Sequence, residues 1–93
     1  MGTTKADILS WLQWGKSQGQ THVIVACDTF DHTDYPVYVA KDQKVREEYE
    51  RINKSSMQKV MEVYALHLPF EDQLNEHRSF HFEELDTGMS SNR

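Results

Sequence analysis

The sequence is poor in several features that particular classes of protein need. Its 93 residues include one cysteine, four glycines and two prolines, and 15 acidic residues outnumber 10 basic ones, for a formal net charge of -5. A single Cys27 excludes an intramolecular disulfide, and we interpret it as a buried, reduced thiol. Scattered basic residues argue against nucleic-acid binding, because gripping phosphates takes clustered Lys and Arg.

Long apolar runs are also missing. No stretch approaches the roughly 20 consecutive apolar residues of a membrane span. The N-terminus lacks the basic-then-apolar order of a signal peptide. We therefore expect no membrane association and a cytoplasmic location. Hydrophobic residues make up 38% and aromatic residues 11% of the chain, which predicts one globular domain over residues 1–85. Residues 86–93 are rich in Gly, Ser and Asn, which predicts a disordered tail.

Residues 4–18 are predicted to form the first helix. Thr4 and Asp7 match a capping box, and Gly19 is a natural C-cap. Steps of three and four residues place one set of residues on the apolar face of this helix: Ile8, Trp11, Leu12 and Gly15. Trp14 lies about 60° off that face. We interpret the two Trp side chains as core or subunit interface rather than as a ligand-stacking pair.

Residues 21–27 are almost continuously apolar and β-branched, which is typical of a strand buried on both faces. Residues 36–40 predict a shorter antiparallel strand, with Pro36 at its start or on a sheet edge. The eight residues between the two runs form a loop longer than a tight hairpin needs. Asp42 can cap a second helix that ends near Lys54.

The run "MQKVMEVYALHL", residues 57–68, fits either a helix or a strand. We favour a strand, because a sheet needs a third member to be independently stable. Pro69 then starts a short helix from Phe70 to about Glu76, and "RSFHFEEL" is an edge strand or an arm onto a neighbouring subunit. The predicted fold is therefore α+β, a small and mainly antiparallel three-stranded sheet packed with two to three helices.

The loop "CDTFDHTDY", residues 27–35, has three interpretations. Its aspartates can serve turn chemistry, since Asp bonds its own backbone in turns. They can also form a ligand-contacting loop. As a weaker alternative, Asp28, Asp31, His32 and Asp34 could hold Mn or Mg in a metal-dependent hydrolase, although the spacing matches neither an EF-hand nor a zinc site.

A ligand pocket combines apolar walls with a few convergent polar groups. Aromatic rings on and beside the loop can stack on a flat ligand, its polar side chains can accept hydrogen bonds, and a guanidinium near the C-terminus can hold a phosphate. The predicted ligand-binding residues are Phe30, Asp31, His32, Asp34, Tyr35, Tyr38, His77 and Arg78. Because the chain is small, we expect two copies to close this pocket, the loop of one facing the C-terminal arm of the other.

No nucleophile elbow, phosphate-binding glycine loop or metalloprotease helix is found in the sequence. We therefore expect a protein that is not an enzyme and that uses no cofactor.

Three segments, "THVIVACDTFDHTDYPVYV", "MQKVMEVYALHL" and "QLNEHRSFHF", together resemble a group of small, mostly uncharacterised proteins encoded by tailed bacteriophages and prophages. The resemblance extends to about residue 82 and carries over no catalytic residue. It implies a phage accessory protein in an infected bacterium. Such a protein would inhibit host defence, either by sequestering a nucleotide-like immune signal as a homo-oligomer or by docking its acidic surface on a defence protein.

Overall fold

The apolar run after Thr21 becomes the middle strand of an antiparallel sheet with the order β2-β1-β3. The computed structural model describes residues 3–76 and 78–83, so the predicted tail at 86–93 lies outside the described residues. The elements are α1 (Lys5–Ser17), β1 (His22–Asp28), β2 (Asp34–Val39), α2 (Val45–Lys54), β3 (Gln58–Ala65) and α3 (Phe70–Leu74). The α+β prediction is confirmed, as is the choice of a strand for the ambiguous run that contains β3.

Strand β1 is buried on both of its faces, as its continuous apolar sequence predicts. Alternate side chains therefore enter two separate cores. The core on one face, covered by α1 and α3, contains Ile8, Leu12, Val23, Val25, Tyr64 and Leu66. The core on the other face, covered by α2, contains Ile24, Ala26, Val39, Val45, Ile52 and Val63. The molecule is thus a three-layer α/sheet/α arrangement.

Both ends of α1 use the signals that the sequence contains. The Thr4 hydroxyl accepts a hydrogen bond from the Asp7 amide at 3.1 Å, and the Asp7 carboxylate accepts one from the Thr4 amide at 3.1 Å. At the other end Gly19 adopts φ +76°, and the amides of Gly19 and Gln20 donate to the carbonyls of Lys16 and Gly15. This is a Schellman motif, which only glycine adopts at low cost.

Two predicted boundaries were wrong. Strand β2 begins at Asp34 rather than Pro36, because Asp34 and Tyr35 pair with Cys27 and Ala26. The connection is therefore residues 29–33, an ordinary hairpin length rather than an extended loop. Pro36 lies on the outer strand opposite Val25, at a position where ladder bonds to β1 are not made, so its missing N–H leaves the ladder intact.

The second wrong boundary concerns α2. Its N-cap is Lys44 and no side chain caps it, whereas the sequence predicts Asp42 as the cap. The turn before the helix is instead held by Gln43, whose side-chain oxygen accepts a hydrogen bond from the Ala40 amide at 2.8 Å. Asp42 is exposed in that turn, two residues before the N-cap.

The outer edge of β3 is closed by residues that follow it. The side-chain amide of Gln73 donates to the Ala65 carbonyl and accepts from the Ala65 amide, both at 2.8 Å, as a neighbouring peptide group would. Val63 bonds to Ser79 and His81 in a single parallel bridge. Residues 79–81 of the "RSFHFEEL" run therefore lie along the β3 edge of the sheet in the same chain.

The next residue of this run, Phe82, packs on α2. Its ring meets Tyr49 edge-on at 5.1 Å, and the Arg46 guanidinium lies 4.4 Å from its centre.

Among the described residues, none of the helices is long and apolar enough to cross a membrane.

Replacing Gln73 should weaken the fold more than its short helix suggests. Gln73 is 2% exposed, so Gln73→Ala leaves the buried Ala65 amide without a partner and its carbonyl with only a 3.4 Å hydrogen bond from the Leu68 amide. We expect the free energy of unfolding in urea to fall by about 2–3 kcal/mol. Gln13→Ala, on the exposed face of α1, is the control and should stay within about 0.5 kcal/mol of wild type. Equal stabilities for the two variants would contradict the role given to Gln73.

Candidate functional site

The aspartates of the hairpin connection are engaged in turn chemistry. Asp28 accepts a hydrogen bond from the Phe30 amide at 2.8 Å. Asp31 accepts from the Thr33 amide at 3.2 Å and the Thr33 hydroxyl at 2.7 Å, and these bonds lower the pKa of the Asp31 carboxyl. His32 takes the left-handed conformation at φ +61°, which closes the turn. These contacts are the turn chemistry that the first interpretation of this loop describes.

The metal interpretation finds no support. Within residues 3–76 and 78–83, no group of three or more His, Cys, Asp or Glu side chains is placed to hold a metal ion. Asp28 and Asp31 each use an oxygen on the local backbone, and Asp34 belongs to a strand instead of the loop.

The three aromatic residues predicted to stack on one ligand lie in three different places. Phe30 is at the hairpin tip and 82% exposed. Tyr35 lies on the α2 side of the sheet, where its hydroxyl accepts a hydrogen bond from Gln58. Tyr38, three residues further along the strand, lies on the α1 side with its ring centre 4.8 Å from that of Trp14. Strand alternation separates these two rings.

Two of the predicted residues do meet. Asp34 and Arg78 line one cleft of about 250 Å³, between the start of α1 and the hairpin end of the sheet. The apolar side chains lining it are Ile8, Val25, Met61, Tyr64 and Leu74. The charged side chains lining it are Lys5, Asp34, Glu62, Glu76 and Arg78. A single copy of the chain therefore brings the hairpin and the C-terminal run together. His77 lies outside the described residues.

The charged groups of the cleft differ in how far they are already paired. The Tyr64 hydroxyl donates to Glu62 at 2.6 Å, and burial together with this bond raises the pKa of Tyr64. Glu76 contacts His81 at 2.9 Å. Arg78 is exposed and has no hydrogen bond or ion pair with any other described residue. Its guanidinium therefore keeps all its donors for a ligand.

A β-bulge shapes the cleft, and sequence reasoning missed it. The register of β3 against β1 shifts between Val25 and Ala26, so Met61 is an extra residue in the ladder. Met61 and Glu62, although adjacent in sequence, therefore both line the cleft. One feature of the sequence indicates such a bulge: the run of residues 57–68 is slightly long for a regular strand.

Cys27 lies beside the cleft and is 7% exposed. Burial and the neighbouring Asp34 carboxylate, with a smaller effect of Asp28, raise the pKa of its thiol against an opposing effect of Lys59, and the thiol donates a hydrogen bond to the Asp28 carbonyl at 3.6 Å. Cys27 and Asp34 are paired across the two strands. The thiol is consequently protonated at neutral pH and is a poor nucleophile.

Comparison of the chain with protein-family models, with curated proteins and with solved structures finds no significant match. The resemblance to phage-encoded proteins accordingly stays a prediction.

The Cys27 environment can be tested by measuring alkylation by iodoacetamide as a function of pH. We expect the midpoint of the folded protein to lie above that of the protein in denaturant. Asp34→Asn should lower the midpoint, because it removes a charge that disfavours the thiolate, and Lys59→Gln should raise it. Asp42→Asn, in the distant turn, is the control. If Asp34→Asn and wild type share one midpoint, Asp34 does not control the thiol.

Proposed function

We propose that the protein is a non-enzymatic binding module that takes a small nucleotide-like ligand in the cleft lined by Asp34 and Arg78. The observation that carries this proposal is an unpaired guanidinium in the same cleft as three carboxylates and a set of apolar side chains. A phosphorylated sugar or nucleoside offers matching chemistry: an anion for the cations, hydroxyl or amino donors for the carboxylates, and a flat apolar face.

Each group in the cleft has a role in this proposal. Arg78 binds the phosphate through its planar fork, with Lys5 as a second cation. Asp34 and Glu76 accept hydrogen bonds from sugar hydroxyls or from a base. Met61 and Leu74 supply apolar contact for a ring. Since ligand pockets usually enclose about 300–1,000 Å³, a cleft of about 250 Å³ favours a ligand no larger than a mononucleotide or one that stays partly exposed.

Binding without turnover is favoured by the state of Cys27 and of the aspartates of the hairpin connection. The Cys27 thiol is held protonated. Asp28 and Asp31 already accept backbone hydrogen bonds, which leaves them poorly placed as general bases.

We further propose that the protein self-associates through an aromatic surface, which comprises Trp11, Trp14 and Tyr38. Trp14 is 52% exposed, and these rings border an open depression of about 450 Å³. Strand pairing offers a poorer route, because Pro36 interrupts the β2 edge and Gln73 covers part of the β3 edge. Exposed apolar patches of this kind commonly mark interfaces.

The statement that the ligand is an immune signal of an infected bacterium rests on the resemblance alone, and action in the cytoplasm is the expectation from the sequence. The competing prediction is an inhibitor that docks its acidic surface on a host defence protein. Ligand binding separates the two predictions.

The binding proposal is tested by calorimetric titration with AMP, a cyclic dinucleotide and ADP-ribose. We expect at least one to bind and to be recovered unchanged after denaturation. Arg78→Gln should weaken its affinity by about tenfold or more, the loss of a charged hydrogen bond of 1.5–3 kcal/mol. Arg51→Gln on α2 and Phe30→Ala at the hairpin tip are controls outside the cleft and should bind normally.

Three results would count against this proposal. If none of the nucleotides binds, the ligand class is wrong, and co-purification of a host protein would then favour the inhibitor. Recovery of a cleaved product would identify an enzyme. Equal affinity in wild type and Arg78→Gln would place the ligand elsewhere.

Self-association is tested by light scattering at micromolar concentration. We expect a mass above the 10.9 kDa of one chain. Trp14→Gln should return the protein to that mass, whereas Phe30→Ser, which removes a more exposed ring outside the aromatic surface, should not. A monomeric wild type would exclude this interface.

A further inference from the structure

A second pocket, of about 300 Å³, lies at the end of the sheet opposite the hairpin. It is formed where α1 leads into β1 and where the chain leaves β2 and β3. Its polar side chains are Lys16, Gln20, Thr21, Lys41 and His67. Each of these can donate a hydrogen bond, and none of the described residues lining the pocket is a carboxylate. The chain has 15 acidic residues, yet none of them is among the described residues lining this pocket. A pocket lined by hydrogen-bond donors and two lysines favours an anionic ligand.

Most of these donors are not used within the described residues. The side chains of Lys41 and Gln20 have no hydrogen bond or ion pair there, and the Lys16 side chain has only a contact with the Phe70 ring at 5.6 Å. The Thr21 hydroxyl is already engaged, since it lies 3.2 Å from the Val39 carbonyl oxygen. Two ammonium groups therefore border the pocket without a carboxylate partner.

His67 supplies a second, independent observation. Its Nδ1 is buried and has no hydrogen-bond partner among the described residues. Leaving a buried polar atom unpaired is costly, so such atoms usually have a water, ion or ligand as partner. Rotating the ring by half a turn exchanges Nδ1 with Cδ2, so the imidazole can present this nitrogen to a new partner without movement of the backbone.

The end of α1 is compatible with an anion nearby, although a helix C-terminus normally disfavours one. The Schellman motif at Gly19 occupies the carbonyls of Gly15 and Lys16 with hydrogen bonds from the chain itself. Hydrogen bonds from the chain thus offset part of the negative charge at this end of the helix.

We infer that this pocket binds a phosphate-sized oxyanion, either free phosphate or the terminal phosphate of a small molecule, through Lys16, Lys41 and His67. The site is distinct from the Arg78 cleft, because the two lie at opposite ends of the sheet and share no lining residue. The inference therefore stands or falls independently of the proposed function.

The test is a titration with inorganic phosphate followed by ¹H–¹⁵N NMR, at fixed pH and with sodium chloride holding the ionic strength constant. We expect saturable shifts centred on Thr21, Leu66 and His67. The double variant Lys16→Gln/Lys41→Gln should lose saturation or bind at least tenfold more weakly. Lys54→Gln, at the end of α2, removes a lysine outside the pocket and should titrate like wild type, as should Arg78→Gln.

A parallel titration with ribose 5-phosphate distinguishes the two sources of the anion. Tighter binding of the ester than of phosphate identifies a phosphorylated small molecule, and weaker binding identifies free phosphate. Linear, non-saturating shifts shared by wild type and the double variant would overturn the inference, as would shifts centred on the Arg78 cleft. His67→Gln adds a further check: unchanged phosphate affinity in this variant would remove His67 from the site.

Discussion

Two-sided burial of β1 is the constraint on which the rest of the molecule depends. A strand that is apolar on both faces needs a cover on each, so a short chain has to build two cores. One face receives α1 and the small α3, and the other receives α2. The 13 residues of α1 span about 20 Å. Both pockets discussed above lie near the ends of this helix, one beside Lys5 and Ile8 and the other beside Lys16.

The two pockets differ in charge because different parts of the chain reach them. Strand β2, the bulge in β3 and the segment after α3 bring carboxylates to the hairpin end, where Arg78 and Lys5 balance them in part. At the opposite end the chain supplies donors from the exits of three elements. A net charge of -5 therefore describes neither site, since local composition sets the potential that a ligand meets.

Local signals predicted much of this fold. The capping box at Thr4, the left-handed Gly19 and the buried face of α1 depend on neighbours within a few residues, and they were predicted correctly. The wrong cap of α2 is a local error, whereas the start of β2 and the bulge in β3 depend on pairing between strands. Asp34 is a strand residue because Cys27 lies opposite it, and Met61 is an extra residue only relative to β1. Of the residues lining the cleft, the predicted ligand-binding set contains Asp34 and Arg78 and lacks Lys5, Glu62 and Tyr64.

The two edges of the sheet are protected by unequal means. On β3 the outward groups of Val63 and Ala65 are already saturated by Ser79, His81 and the Gln73 amide. On β2 the protection at the centre consists of a missing donor, the imino nitrogen of Pro36. Addition of a further strand is thus opposed by completed hydrogen bonds along part of β3 and by the missing N–H of one proline on β2. Protection at the centre of the β2 edge therefore depends on Pro36, whereas protection of the β3 edge is shared among Gln73, Ser79 and His81.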